Sequence, residues 1–167
     1  MLMGTRGIVG AAVIGLALCP TFALADSGAD VGFRGWGPRV GLSLDPDQVH
    51  FGAHFDYGFL APQVRFQPNV ELGLGQHVRL FALNAEAAYR FTERWDVWSP
   101  YLGGGLGANI RMYEDGPYPN DRTELGLNLL GGIEKGLSDG DRFFIEVKFS
   151  LNDVPDLKAT VGWTFYN

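Results

Sequence analysis

Apolar residues alternate with polar residues or glycines along most of the chain after residue 37. Successive side chains of a β-strand point to opposite faces, so a period of two is typical of strands with one apolar face. Turn-forming residues such as Asp45-Pro46-Asp47 separate the alternating stretches. The pattern predicts eight strands, at Pro38–Leu44, Val49–Phe59, Gln63–Leu74, Val78–Phe91, Tyr101–Met112, Thr123–Lys135, Arg142–Leu151 and Asp156–Phe165.

The links between the predicted strands are short, which favours an antiparallel up-and-down sheet. Eight such strands close into a barrel, and closure removes the unpaired sheet edges. Pro68 lies inside the third strand, and because proline cannot donate to a ladder we expect a bulge or weakened pairing there. We therefore predict an all-β, eight-stranded antiparallel up-and-down barrel over residues 37–167, preceded by a short glycine-containing leader at residues 26–36.

The first 25 residues have the features of a secretory signal peptide. Arg6 is the only charge before Asp26, residues 7–19 are apolar or small, and Ala23-Leu24-Ala25 fits the cleavage site. This run of 13 residues is shorter than the roughly 20 that a spanning helix needs. We predict cleavage after residue 25, which removes Cys19, the only cysteine.

The composition excludes several classes of protein. The 167 residues include 24 glycines, which would weaken the helices of a bundle. The net charge of −6 and the lack of a basic patch argue against nucleic acid as a partner. A single cysteine permits neither a disulfide framework nor a thiolate metal site within one chain. Nothing in the sequence calls for a cofactor.

The alternation alone does not say whether the apolar face points inward, as in a soluble barrel, or outward, as in a membrane barrel. The polar face is rich in glycine, which weakens a solvent-facing strand but makes room for long side chains in the narrow lumen of an eight-stranded barrel. Its charges also nearly balance, as buried charges must. We predict a polar, plugged interior whose network contains Arg39, Arg65, Glu71, Glu86, Arg90, Arg111, Glu124, Glu134, Glu146, Lys148 and Lys158.

Aromatic residues collect near one set of strand ends. If the first strand starts on the periplasmic side, they form a girdle at one membrane interface, with Trp95 and Trp98 in the adjoining turn. This favours a transmembrane barrel. The predicted girdle consists of Tyr57, Phe59, Phe66, Tyr89, Phe91, Tyr101, Phe143, Trp163 and Phe165.

The export signal, the eight alternating stretches and the last one, Leu157 to Phe165, resemble the small eight-stranded outer-membrane β-barrels of bacteria. That family includes outer membrane protein X and the transmembrane domain of outer membrane protein A. The resemblance implies a place in the outer membrane of the Gram-negative cell envelope, with outer-membrane lipid and the barrel assembly machinery as partners. The chain departs from the family by ending on Asn167 instead of an aromatic residue, and by having short outer links, of which only Glu114 to Asp121 has any reach.

Catalytic and metal chemistry have weak support. His50 and His54 share a face, but four residues of strand separate them by about 13 Å, too far for one metal ion. Ser43, His54 and Asp56 could be drawn together as the triad of a lipid-modifying hydrolase, but no motif supports this. We assign no catalytic, cofactor-binding or metal-binding residue.

The leading hypothesis is an integral outer-membrane barrel with a structural or surface-interaction role, not an enzyme and not an open pore. Two alternatives remain open. One is an exported soluble barrel of the lipocalin type, in which Phe51, Phe55, Leu127 and Val147 would line a cavity for an apolar ligand. The other is a lipid-A-modifying outer-membrane hydrolase.

Overall fold

The computed structural model describes residues 28–44, 47–75, 78–113, 122–151 and 157–166. The predicted signal peptide at residues 1–25, the outer link Glu114 to Asp121 and Asn167 lie outside these ranges. The elements are β1 (Asp30–Leu44), β2 (Gln48–Ala61), β3 (Val64–Phe66), β4 (Asn69–Leu74), β5 (Val78–Arg90), β6 (Ser99–Tyr113), β7 (Arg122–Gly136), β8 (Arg142–Leu151) and β9 (Leu157–Tyr166).

The strands pair antiparallel in chain order, except that β3 and β4 each pair with β2 and β5 and not with one another, and β1 also pairs with β9. That last pairing closes the sheet, with Gly35 opposite Tyr166 at one end and Leu44 opposite Leu157 at the other. Because β3 and β4 occupy one position in the wall between β2 and β5, the barrel has eight strands. The predicted eight-stranded up-and-down barrel is confirmed.

The third strand is broken at Pro68, as the sequence predicts. β3 ends at Phe66 and β4 begins at Asn69. The carbonyl of Pro68 still accepts a hydrogen bond from the Phe55 amide at 2.9 Å, and the Gln67 amide donates to the carbonyl of Glu86 at 2.8 Å. The wall therefore stays closed where the ladder is interrupted.

The first strand begins at Asp30, inside the range 26–36 that we expected to be a leader. The register of β1 against β2 shifts between Val31 and Gly35, where four residues of β1 advance past two of β2. A bulge of this kind changes which side chains face outward, so the period of two breaks between Phe33 and Trp36. This is why the alternation did not reveal the start of the strand.

The polar face of each strand points into the barrel. Glycines on this face make room for bulky inner side chains, as the sequence suggested. A methyl group at Gly132 would lie 2.5 Å from the Tyr101 hydroxyl, and one at Gly162 would lie 2.3 Å from the Phe144 ring. The described residues contain no helix long and apolar enough to cross a membrane.

Candidate functional site

Charged side chains fill the barrel and contact partners across its lumen. Arg39 of β1 lies 2.6 Å from Glu146 of β8, and the two strands are not neighbours in the sheet. Similar contacts join β4 to β8 and β9, and β3 to β7. These ion pairs cross the interior, and the buried charges are consistent with the polar, plugged core expected for eight strands.

Glu71 is the centre of the largest group of charges. Its carboxylate lies 3.1 Å from Arg39, 3.6 Å from Lys148 and 2.7 Å from Lys158, and all four side chains are buried. With Glu86 and Glu146 these residues form what we call the central cluster, in which three cations meet three carboxylates. The equality of charge is what allows the cluster to be buried.

Asparagines extend the central cluster along the lumen between the termini end of the barrel and the opposite end, which we call the loop end. Glu86 accepts hydrogen bonds from Asn69 at 2.7 Å and Asn128 at 3.3 Å, and also lies 2.6 Å from Lys148. Asn84 donates to Asn69 and accepts from Asn128. We did not single out these amides from the sequence, although the alternation places all of them on the polar face.

A second group, which we call the mouth cluster, lies at the termini end of the barrel. Arg65 donates to both carboxylate oxygens of Glu134, at 3.2 and 2.6 Å, and Arg90 lies 2.5 Å from the same carboxylate. Arg142 lies 3.4 Å from Glu134 and 3.5 Å from Asp56. Asp56 and Arg142 were not among the predicted network residues, although both occupy polar-face positions.

The structure places all eleven predicted network residues on the inner face. Arg111 and Glu124 form an ion pair at the loop end, where both are half-buried, and Arg90 is half-buried at the termini end. The other eight are buried: Arg39, Arg65, Glu71, Glu86, Glu134, Glu146, Lys148 and Lys158.

Tyr101, one of the nine predicted girdle residues, lies inside the barrel and is only 4% exposed. Its hydroxyl donates to Glu146 at 3.0 Å, and its ring lies in the space that Gly132 leaves on the next strand. The prediction that Tyr101 faces lipid is therefore wrong. The alternation itself groups Tyr101 with Gly103 and Gly105 on the polar face, and that signal is the better guide.

Replacing Tyr101 by phenylalanine is expected to lower the free energy of unfolding by about 1.5–3 kcal/mol, because a hydrogen bond to a buried carboxylate is lost. Unfolding by urea in lipid vesicles measures this change. The matched control is Tyr89→Phe, since Tyr89 is 44% exposed on the outer face and should lose no more than about 0.5 kcal/mol. Equal effects of the two variants would contradict the inner position of Tyr101.

The outer face is apolar, with aliphatic side chains along the strands and aromatic rings toward the termini end. Rings contact one another edge-on from Phe33 to Tyr57 at 5.9 Å, and from Phe143 to Trp163 at 5.0 Å. Seven of the predicted girdle residues lie on this face, either exposed or half-buried: Tyr57, Phe66, Tyr89, Phe91, Phe143, Trp163 and Phe165. Phe59, contrary to the prediction, pairs with the inner-facing Arg65 and lines a cavity at the termini end. Such an arrangement suits a barrel whose outside meets lipid.

The residues considered for catalysis do not come together. Ser43 lies opposite Gln48 and His54 opposite Gly37, so about six residues of β1, some 20 Å, separate them. The Nε2 atom of His54 lies 2.8 Å from the Thr164 hydroxyl, and that of His50 lies 2.9 Å from the Thr160 hydroxyl. Both histidines therefore have structural partners inside the barrel.

The arrangement of the described residues allows little chemistry beyond charge pairing. No group of three or more possible metal ligands occurs among them. The buried charges contact one another, and most large apolar side chains lie on the outside, whereas Leu80, Leu130 and Phe144 are buried. This geometry presents an apolar cylinder around a core of paired charges.

The fold is that of small outer-membrane β-barrels, and the resemblance stated from the sequence is confirmed. The crystal structure of Neisserial surface protein A is similar with a TM-score of 0.61 and 15% sequence identity, over 81% of this chain and 96% of that one. The N-terminal β-barrel domain of Pseudomonas aeruginosa OprF is similar with a TM-score of 0.59 and 14% identity, over 80% and 95%. No protein-family model and no curated protein matches the sequence.

Proposed function

We propose that this chain is an integral protein of the bacterial outer membrane, with a structural or surface-interaction role and no catalytic activity. The observation that carries the proposal is the distribution of side chains between the inside and the outside, which is the reverse of that in a soluble protein. Lysines, glutamates and arginines are buried, while large apolar side chains such as Leu106, Leu125 and Phe149 are more than half exposed. This distribution is favourable in lipid, whereas in water it would leave a large apolar surface solvated.

The soluble-carrier alternative needs an apolar cavity inside the barrel. Of the four residues that would line it, Phe51, Leu127 and Val147 are exposed on the outer face. Phe55 is half-buried and borders a groove on the outer wall with Leu83 and Leu106. These positions support the membrane barrel over the carrier.

The closed interior supports a role other than conduction. Ion pairs of the central cluster join strands on opposite sides of the lumen, as Lys158 to Glu71 does. A pore would require these side chains to be solvated and separated.

The aromatic side chains at the termini end suit a membrane interface, and we assign that end to the periplasmic side, with the predicted signal peptide directing export.

Cell fractionation combined with gel mobility tests the proposal. We expect the full chain to sediment with the outer membrane, to require detergent for extraction, and to migrate faster on a gel before boiling than after it. The matched comparison is the same chain expressed without residues 1–25, which should remain in the cytoplasm. A monodisperse protein in the periplasmic soluble fraction, stable without detergent, would overturn the membrane assignment and favour the carrier.

A further inference from the structure

A cavity of about 570 Å³ lies at the termini end of the barrel, directly over the mouth cluster. It opens to solvent between exposed turn residues such as Asp96 and Gly140. Its floor is formed by the mouth cluster and Tyr166, and its rim includes Arg34 and Arg94. The cavity is therefore a polar vestibule, accessible from the side on which the chain begins and ends.

The charges around this vestibule are unevenly distributed. Among the described residues that line it there are five arginines and four carboxylates, but Arg34 pairs with Asp30, which lies outside the lining. The imbalance lies in the mouth cluster itself, where three arginines share the carboxylates of Asp56 and Glu134. The central cluster, by contrast, has equal numbers of each sign. Of the three arginines in the mouth cluster, Arg90 is half-buried at the edge of the vestibule, so its charge is open to an anion or to water there.

Arg142 at the floor has a guanidinium nitrogen that makes no hydrogen bond with any described residue. Arg142 is buried, and its Nε and Nη2 atoms both donate to the Thr164 hydroxyl, at 3.2 and 2.8 Å. Its Nη1 atom is 3.4 and 3.5 Å from the nearest carboxylate oxygens and makes no hydrogen bond with them. A buried donor of this kind needs an acceptor in the space that it faces.

We propose that the vestibule binds a phosphate group entering from the termini side, with Arg142 and Arg90 as its principal ligands. Guanidinium groups bind phosphate oxygens through paired hydrogen bonds. Arg65, Arg90 and Arg142 come from three different strands, β3, β5 and β8, so they approach the floor from different directions. Donors arranged in this way suit a tetrahedral anion better than a flat carboxylate.

Two sources could supply the group, free inorganic phosphate or a small phosphate monoester. The cavity has room for more than one phosphate, and its opening leaves an ester substituent directed toward solvent. Binding of glycerol 3-phosphate as well as inorganic phosphate would show that esters are accepted. Binding of inorganic phosphate alone would assign the site to the free ion.

The test is isothermal titration of the folded full chain in detergent micelles, at constant ionic strength set with chloride. The probes are inorganic phosphate, glycerol 3-phosphate and acetate. The variants are Arg142→Gln and Arg90→Gln, and the second keeps the experiment decisive if the first does not fold, because Arg90 is only half-buried. The matched control is Arg111→Gln, which removes a guanidinium group at the opposite end of the barrel.

We expect saturable binding of one phosphate by the wild type, weakened about tenfold or more in either vestibule variant, because each loses a hydrogen bond to a charged group. Arg111→Gln should stay within about twofold of the wild type. The proposal is overturned if the wild type shows no saturable phosphate binding, which would leave water as the occupant of the vestibule. It is equally overturned if Arg90→Gln behaves like Arg111→Gln, or if acetate binds as tightly as phosphate.

Discussion

Replacing Glu71 by glutamine is expected to lower the free energy of unfolding by about 3–5 kcal/mol, the cost of breaking a buried ion pair from one side. Glu71 lies within 3.6 Å of Arg39, Lys148 and Lys158. Arg39 and Lys148 keep contacts with Glu146 and Glu86, whereas Lys158 loses the carboxylate at 2.7 Å. The variant therefore leaves one positive charge in excess within a closed interior.

The loss is measured by urea unfolding in lipid vesicles, followed through the fluorescence of the outward tryptophans Trp36 and Trp163. The matched control is Glu124→Gln, since Glu124 pairs with Arg111 at the half-buried loop end of the same barrel. A half-buried ion pair should contribute less than about 1 kcal/mol to the free energy of unfolding. A similar small loss for Glu71→Gln would show that water reaches the central cluster, contrary to the closed interior.

Replacing Val147 by arginine is expected to cost about 2–4 kcal/mol in a bilayer, the range measured for arginine at the lipid face near the midplane of such barrels. Val147 lies in the middle of β8, between Gly131 of β7 and Ala159 of β9, and is 38% exposed on the outer face. An arginine there would point into acyl chains, far from headgroups and water. Equilibrium unfolding in vesicles measures the effect.

The matched control is Val97→Arg, in the turn between Trp95 and Trp98 at the termini end. Near an interface the same substitution should cost no more than about 1 kcal/mol. A soluble barrel would tolerate arginine equally well at both sites, because each would face water. Such equality would contradict the assignment of the apolar face to lipid.

Much of this fold can be predicted from the alternation of residues alone. The eight stretches, the barrel and the interruption at Pro68 follow from a period of two together with the missing amide of proline. The same period shows that positions such as Glu71 and Leu72 lie on opposite faces of one strand. The choice of which face points inward required the additional signal of inner glycines beside long charged side chains.

Two features escaped prediction for physical reasons. A bulge before Gly35 changes the facing of β1, so its first residues did not fit the pattern. Tyr101 was assigned to the outer girdle because it is aromatic and lies near a strand end, although its position in the alternation indicates the inner face. The space beside Gly132 and the acceptor on Glu146 are tertiary features, and they bring the ring inside.

The pairing of charges across the lumen could not be predicted either. Sequence shows that Arg39 and Glu146 lie on the polar face, but their contact depends on the stagger of the strands around the barrel. A different stagger would pair Arg39 with another acid. The members of the network and the balance of their charges could therefore be predicted. Which charges contact one another could not, because that depends on the three-dimensional structure.

The pairing of β1 with β9 has a consequence for how this chain self-associates. Once these two strands meet, the sheet has no free edge on which another chain could add a strand. Folded molecules removed from detergent will therefore associate through their apolar outer surfaces, and fresh detergent should disperse them. Chains that have not yet closed still carry two open edges, and their aggregates should form intermolecular β-structure that detergent does not dissolve.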